Sequence, residues 1–124
     1  MLIFGVGARA GFSNVVQNSS FETSNVANIS SFKYSFDGLT ASSWTFTGRA
    51  GVSGFPAAFG NGSVDGSYDG FIQQYASEPT ISSISQALTL QAATNYTLSL
   101  SIAARTSYPA NPIDICLMMS CPAA

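Results

Sequence analysis

Few side chains in this chain could perform acid–base chemistry. There is no histidine, so the commonest general acid–base residue is absent and a Ser-His-Asp arrangement cannot form. Six carboxylates remain, and three of them precede a glycine, where Asp is expected for turn formation alone. The six are Glu22, Asp37, Asp65, Asp69, Glu78 and Asp114. The sequence therefore predicts a protein that is not an enzyme.

Two cysteines lie close together near the C-terminus, Cys116 and Cys121. A zinc site would need further sulfur or imidazole ligands, and the chain has no histidine to supply them. We therefore expect two thiols in a C-terminal strand. A local disulfide between them is the alternative.

Charged residues are scarce. They make up 8% of the chain, against about a quarter in typical domains, and the net charge is −2. Four cations cannot form a basic stripe, so nucleic acid and anionic membrane surfaces are not expected partners. A surface built from Ser, Thr, Asn and Gly is typical of secreted β-domains. We expect an extracellular, cell-surface or virion-surface location.

Alternation of apolar and polar residues is the main structural signal. It is clearest at Asn95–Arg105, where Tyr96, Leu98, Leu100, Ile102 and Ala104 share one face that we expect to form the core. The Gly-rich stretch 51–70 is predicted to be a loop. Further predicted strands are Val15–Phe21, Phe32–Phe36, Ser43–Thr47, Asp69–Ala76 and Ile84–Leu90.

Short strands at intervals of about ten residues favour an all-β sandwich or jelly roll. The length of 124 residues suits a single domain. We expect residues 1–13 to be a leader or part of a preceding segment, and residues 14–124 to form the sandwich.

Three motifs carry a resemblance to a known family. They are Asn18-Ser19-Ser20-Phe21-Glu22, Trp44-Thr45-Phe46-Thr47-Gly48, and Ile84-Ser85-Gln86-Ala87-Leu88-Thr89-Leu90 followed by Tyr96-Thr97-Leu98-Ser99. Together they resemble carbohydrate-binding modules of the family 4/9 type, which are galactose-binding-like jelly rolls. The resemblance spans Val15 to Ile115. Because that family's sandwich continues further, it implies a jelly roll incomplete at the C-terminus, whose exposed sheet edges favour self-association.

The resemblance also implies a structural calcium ion near the end of the first strand, with Glu22 as a metal ligand. The family's second acidic ligand comes from a last strand that we expect to be missing here. A solvated or turn-bonded Glu22 carboxylate is therefore the alternative.

A sugar would be bound by aromatic rings that stack on its apolar face and by amides or Arg that bond its hydroxyls. The alternative for Trp44 is a core position, and the alternative for Arg105 is a solvated strand end. The expected ligand-binding residues are Trp44, Tyr68, Gln73, Tyr75, Arg105 and Tyr108.

The sequence thus predicts a non-catalytic carbohydrate-binding module whose partner is a polysaccharide or glycan. The alternative is a structural or adhesive β-sandwich of a surface protein or phage tail fibre.

Overall fold

The strands of this protein are short and almost all of its regular structure is β. The computed structural model describes residues 2–5 (backbone only), 15–54, 65–105, 107–109 and 112–117. A single 3-10 turn, Ser35–Asp37, is the only helical element in those residues. The strands are β1 Leu2–Gly5, β2 Phe32–Tyr34, β3 Thr45–Thr47, β4 Ala50–Gly54, β5 Tyr68–Ile72, β6 Ser83–Ser85 and β7 Ser101–Ala104. The predicted all-β fold class is confirmed.

The strands form two antiparallel sheets. One has five strands in the order β2-β4-β5-β1-β7, and the other pairs β3 with β6. In the β4–β5 ladder Val52 pairs with Gly70, and Gly51 pairs with Phe71. Since side chains alternate along a strand, these two pairs lie on opposite faces of the sheet.

The face that carries Val52 and Gly70 packs against the hydrophobic core. Phe21 and Val52 are almost completely buried there. The Phe21 ring lies 5.0 Å from Trp44 and 6.2 Å from Phe46 between ring centroids. Phe46 from β3 and Ile84 from β6 pack against the same cluster. The two-stranded sheet therefore covers one face of β4 and β5.

The predicted first strand, Val15–Phe21, does not form. Asn18 has φ of 48° and Phe21 has φ of 60°, both in the left-handed region that breaks an extended strand. The Asn18 amide donates to the carbonyls of Thr23 and Ser42, both at 3.2 Å, and its Oδ1 accepts the Thr23 N–H at 3.0 Å. The segment is a turn because these bonds and the burial of the Phe21 ring offset the backbone strain.

The prediction of a loop over 51–70 holds for residues 65–67, which are bends, but it is wrong for 51–54 and 68–70. Residues 51–54 belong to β4 and are buried, and Asp69-Gly70 lies inside β5 instead of forming a turn. Glycine in this stretch permits close packing between layers, which the composition alone does not distinguish from a loop. Residues 55–64 lie outside the described residues.

The expected core face of Tyr96–Ala104 is not buried. Tyr96, Leu98 and Ile102 are 42%, 39% and 40% exposed. Only Ser101–Ala104 forms a strand, at the edge of the five-stranded sheet, and the strand predicted over Ile84–Leu90 is confined to Ser83–Ser85. Alternation predicts which side chains share a face, but it does not predict that another layer will cover that face.

Replacing Gly70 with alanine should destabilise the fold. A Cβ at this position would lie 2.7 Å from Cζ of Phe21, closer than packed carbons tolerate. We expect Gly70→Ala to lower the free energy of unfolding by about 1–3 kcal/mol. Denaturant titration measures this loss, and Thr45→Ala, at an exposed strand position, should change the same quantity by less than about 0.5 kcal/mol. Equal effects of the two changes would show that Phe21 does not press on β5.

Candidate functional site

The face of the five-stranded sheet opposite the core carries a cluster of aromatic rings. Phe71 from β5 is fully buried, and the Tyr34 ring stands edge-on to it with centroids 5.2 Å apart. Phe32 is edge-on to Tyr34 at 5.6 Å. Phe36 stacks on Tyr34 at 4.9 Å with a 13° interplanar angle. We call the surface formed by Phe32, Tyr34, Phe36 and Phe71 the aromatic face.

The register of three neighbouring strands assembles this face. Tyr34 in β2 pairs with Gly51 in β4, which pairs with Phe71 in β5. A Cβ at position 51 would clash first with the Lys33 carbonyl of β2 and would also lie 2.7 Å from Cζ of Phe71, so glycine permits both the close approach of β2 and the packing of the Phe71 ring. The 3-10 turn after β2 then folds Phe36 back over Tyr34, and the Asp37 carboxylate holds this turn by accepting the Tyr34 N–H at 3.1 Å.

Arg49 lies beside the aromatic face, just before β4. Its guanidinium carbon lies 4.8 Å from the centroid of Tyr75 and 5.8 Å from that of Phe36, within cation–π range. Its Nε donates to Oε1 of Glu78 in an ion pair. The Arg49 carbonyl accepts the Gln73 N–H at 3.0 Å, which extends the β4–β5 pairing by one residue.

The phenol of Tyr34 is held by a buried amide. Its O–H donates to Oε1 of Gln73 at 2.8 Å. Burial is the largest influence on the pKa of Tyr34 and raises it above the usual 10.0. Tyr75 raises this pKa further, whereas Arg49, Arg105 and the bond to Gln73 lower it. The net result is a neutral phenol over the whole physiological range.

Three of the six predicted ligand-binding residues, Gln73, Tyr75 and Arg105, act on this phenol, and a fourth, Tyr108, contacts Arg105. Gln73 bonds it, and Tyr75 is close enough to raise its pKa. The Arg105 charge also reaches it, and the Arg105 guanidinium carbon lies 4.2 Å from the ring centroid of Tyr108. Whether these residues bind a ligand stays a prediction.

The other two predicted residues, Trp44 and Tyr68, lie on the core side. Both pack against the hydrophobic cluster. The Trp44 indole N–H donates to the Asn18 carbonyl at 2.8 Å, so this ring braces the turn at Asn18. The structure thus places Trp44 and Tyr68 on the opposite side of the sheet from the aromatic face.

Sequence reasoning missed Tyr34, Phe36 and Arg49 as site residues. The alternation in Phe32–Phe36 marked an outer strand but did not show that its rings meet Phe71, because the register of β2 against β4 is set by tertiary pairing. Asp69 was missed as well. Alternation along β5 puts Asp69 on the same side as Phe71, and its side chain is 4% exposed.

Glu22 accepts two backbone hydrogen bonds. Its Oε1 receives the N–H of Ser67 at 2.6 Å and of Tyr68 at 2.9 Å, which fastens the turn that precedes β5. In the described part of the chain no group of three acidic, histidine or cysteine side chains could hold a metal ion. Carboxylate oxygen is a suitable calcium ligand, so calcium binding by Glu22 stays a prediction.

The cysteine expectation is met only where it can be examined. Cys116 is half-buried and lies in no strand, so the expected C-terminal strand does not form around it, and Cys121 lies outside the described residues.

Residues 13–119 match a family model, HpiC1-like, described as HpiC1 cyclase. No curated protein and no solved structure matches the chain. No helix in the described ranges is long and apolar enough to cross a membrane.

The match overturns the predicted identity and function. The assignment to carbohydrate-binding modules is wrong, and so are the polysaccharide partner and the expectation that the chain is not an enzyme. The structural or adhesive alternative has no support either. The physical reason lies in the motifs: Phe21, Trp44, Phe46 and Ile84 all belong to or pack on the core, so they specify a sandwich and carry no information about the ligand.

Glu22→Gln tests the two roles of this carboxylate. The amide keeps an acceptor oxygen but loses the charge that strengthens bonds to Ser67 and Tyr68, so we expect the free energy of unfolding to fall by about 1 kcal/mol. The control is Asp114→Asn, at an exposed position. If Glu22 also binds calcium, added calcium chloride should raise the Tm of the wild type and not of Glu22→Gln. A variant as stable as the wild type would contradict the anchoring role.

Tyr34 should ionise at higher pH than an ordinary tyrosine. Because its folded pKa is raised, its contribution to stability is complete below pH 10 and disappears as pH rises through the folded pKa. Titration followed by tyrosinate absorbance should show a late-ionising group among the five tyrosines, lost in Tyr34→Phe. Tyr75→Phe is the comparison and should leave a late-ionising group. Ionisation of all tyrosines at the ordinary pKa would contradict the burial of this phenol.

Proposed function

Since the chain belongs to the HpiC1-like cyclase family, we propose that it is a cyclase that closes a ring within a small organic molecule. The observation that carries the proposal is the match over residues 13–119, nearly the whole chain. The aromatic face is the surface on which we place the substrate.

Ring closure requires two atoms of one flexible molecule to be held together. A surface that folds the molecule supplies this by offering apolar contacts of fixed shape. Phe36 and Tyr75 are 61% and 52% exposed, so their rings are available to a ligand, while the buried Phe71 holds the position of Tyr34. Rings that are packed edge-on and stacked form such a fixed surface.

The rings of Phe36 and Tyr75 can also stabilise a positive charge. Arg49 already lies over the Phe36 and Tyr75 rings at 5.8 and 4.8 Å, because the electron-rich face of an aromatic ring attracts a cation. Positive charge that develops on a substrate during ring closure would be stabilised by the same ring property.

Asp69 is our candidate for proton transfer. It is buried on the same side of β5 as Phe71, and a carboxyl group can give a proton to a substrate double bond or carbonyl. The ring then closes onto the resulting cation, and the product returns a proton to the Asp69 carboxylate. No atom is gained or lost, so the product is an isomer of the substrate.

The test is formation of a cyclic isomer. Citronellal is a suitable probe, because protonation of its aldehyde lets the distant double bond close a ring without a change of mass. We expect the wild type to produce the cyclic isomer, detected by chromatography coupled to mass spectrometry. Asp69→Asn should lower the rate about 10²–10⁴-fold, and Asp114→Asn, at an exposed carboxylate, should not change it.

One outcome would count against the cyclase function, and another only against the role of Asp69. Absence of any isomer from citronellal and from a panel of linear unsaturated aldehydes and alkenes, with folded protein, would contradict the cyclase function. Full activity in Asp69→Asn would remove Asp69 from the reaction and leave the cyclase proposal in place.

A further inference from the structure

Arg49 is held more firmly than a surface arginine usually is. Its backbone N–H donates to Oγ of Ser82 at 2.9 Å, and its carbonyl accepts the Gln73 N–H. The guanidinium lies over the rings of Phe36 and Tyr75, and Nε is paired with Glu78. The orientation of the guanidinium plane is therefore set by the protein before any ligand arrives.

In this arrangement the two terminal nitrogens of the guanidinium, Nη1 and Nη2, can donate hydrogen bonds to a ligand. Within the described part of the chain, the two Nη atoms of Arg49 make no hydrogen bond, and the side chain is 33% exposed. The N–H groups on those two nitrogens form a planar fork that matches two acceptor oxygens of a carboxylate.

A second cation, Arg105, acts on the same phenol as Arg49. Both Arg49 and Arg105 lower the pKa of Tyr34, so both charges lie within electrostatic reach of the same phenol. Each guanidinium rests against a tyrosine ring, Arg49 on Tyr75 and Arg105 on Tyr108. Among the described residues, Glu78 is the one carboxylate paired with Arg49. Two of the chain's four cations thus lie near one phenol, in a protein of net charge −2.

We propose that Arg49 binds a carboxylate group of the ligand through its two terminal nitrogens, while the apolar body of the ligand lies against Phe36 and Tyr75. The substrate class is therefore an apolar carboxylic acid. This inference builds on the proposed function by assigning a substrate class to its site, and it adds Arg49 as a specificity-determining residue.

Hydrocinnamate and hydrocinnamyl alcohol are matched probes, because they share the phenylpropyl body and differ in the carboxylate. Binding is measured by nitrogen–proton NMR of the full chain, which observes the Arg49 Nε–H directly. We expect hydrocinnamate to shift this resonance and to bind about ten-fold more tightly than the alcohol, because hydrogen bonds between charged partners are stronger than those to a neutral hydroxyl. Added salt should reduce the difference in affinity between hydrocinnamate and the alcohol, because it screens the charge of the carboxylate.

Three variants separate recognition from structure. Arg49→Gln should abolish the preference for the acid, and Arg49→Lys, which keeps the charge without the fork, should retain only part of it. Glu78→Gln is the sharpest variant: its amide oxygen can still accept the Arg49 Nε–H, but the neighbouring negative charge is gone, so hydrocinnamate should bind several-fold more tightly. Lys33→Gln is the control, because it removes a cation from the alternate face of β2.

The proposal is overturned if acid and alcohol bind equally, if neither binds, or if Glu78→Gln weakens the acid as much as Arg49→Gln does. The last result would mean that the ion pair only supports the fold. A preference for the acid without isomer formation would leave this inference standing and count against the cyclase. Formation of the cyclic isomer without tighter binding of the acid would support the cyclase and count against the binding of a carboxylate by Arg49.

Discussion

The structure depends on two glycines in the neighbouring strands β4 and β5, which let aromatic rings pack directly against the strand backbone. Gly70 on β5 leaves room for the Phe21 ring on the core side, and Gly51 on β4 leaves room for the Phe71 ring on the other side. Each position would place a Cβ 2.7 Å from the ring it faces. Since interiors are close-packed, neither ring could keep its place if a larger residue stood there. One pair of strands thus supports the core on one face and the aromatic face on the other.

The two faces are connected through the backbone and have different chemistry. The core side is apolar and is closed by β3 and β6, and the left-handed Phe21 is held there by the bonds of Asn18. The other side combines rings with a phenol, an amide and an ion pair, all placed by the ends of β2, β4 and β5. A fixed set of rings and polar groups of this kind suits recognition of a small molecule better than it suits packing.

The sequence was informative about the fold class and less so about the site. Alternation and turn residues were enough for an all-β chain. Gln73 and Tyr75 were proposed because their residue types suit binding, and their binding of a ligand stays a prediction. The burial of β4 was not predictable, because glycine is common both in loops and where layers pack closely. The turn at Asn18 was not predictable either, because it depends on hydrogen bonds to Thr23 and Ser42 that no local pattern shows. The matched motifs consist mainly of core residues, so they pointed to a sandwich and misled about its ligand. Tyr34 and Arg49 become neighbours only through strand register, which no local pattern contains.

The central claim is that the aromatic face receives the small molecule. Backbone-amide NMR of the full chain during addition of citronellal tests it most directly. The account predicts that the shifted amides cluster at Tyr34–Phe36, Arg49 and Gln73–Tyr75. Shifts confined to the open groove of about 570 Å³ that is lined by Glu22, Thr23, Ser24, Asn25, Thr40 and Ser42 would contradict it.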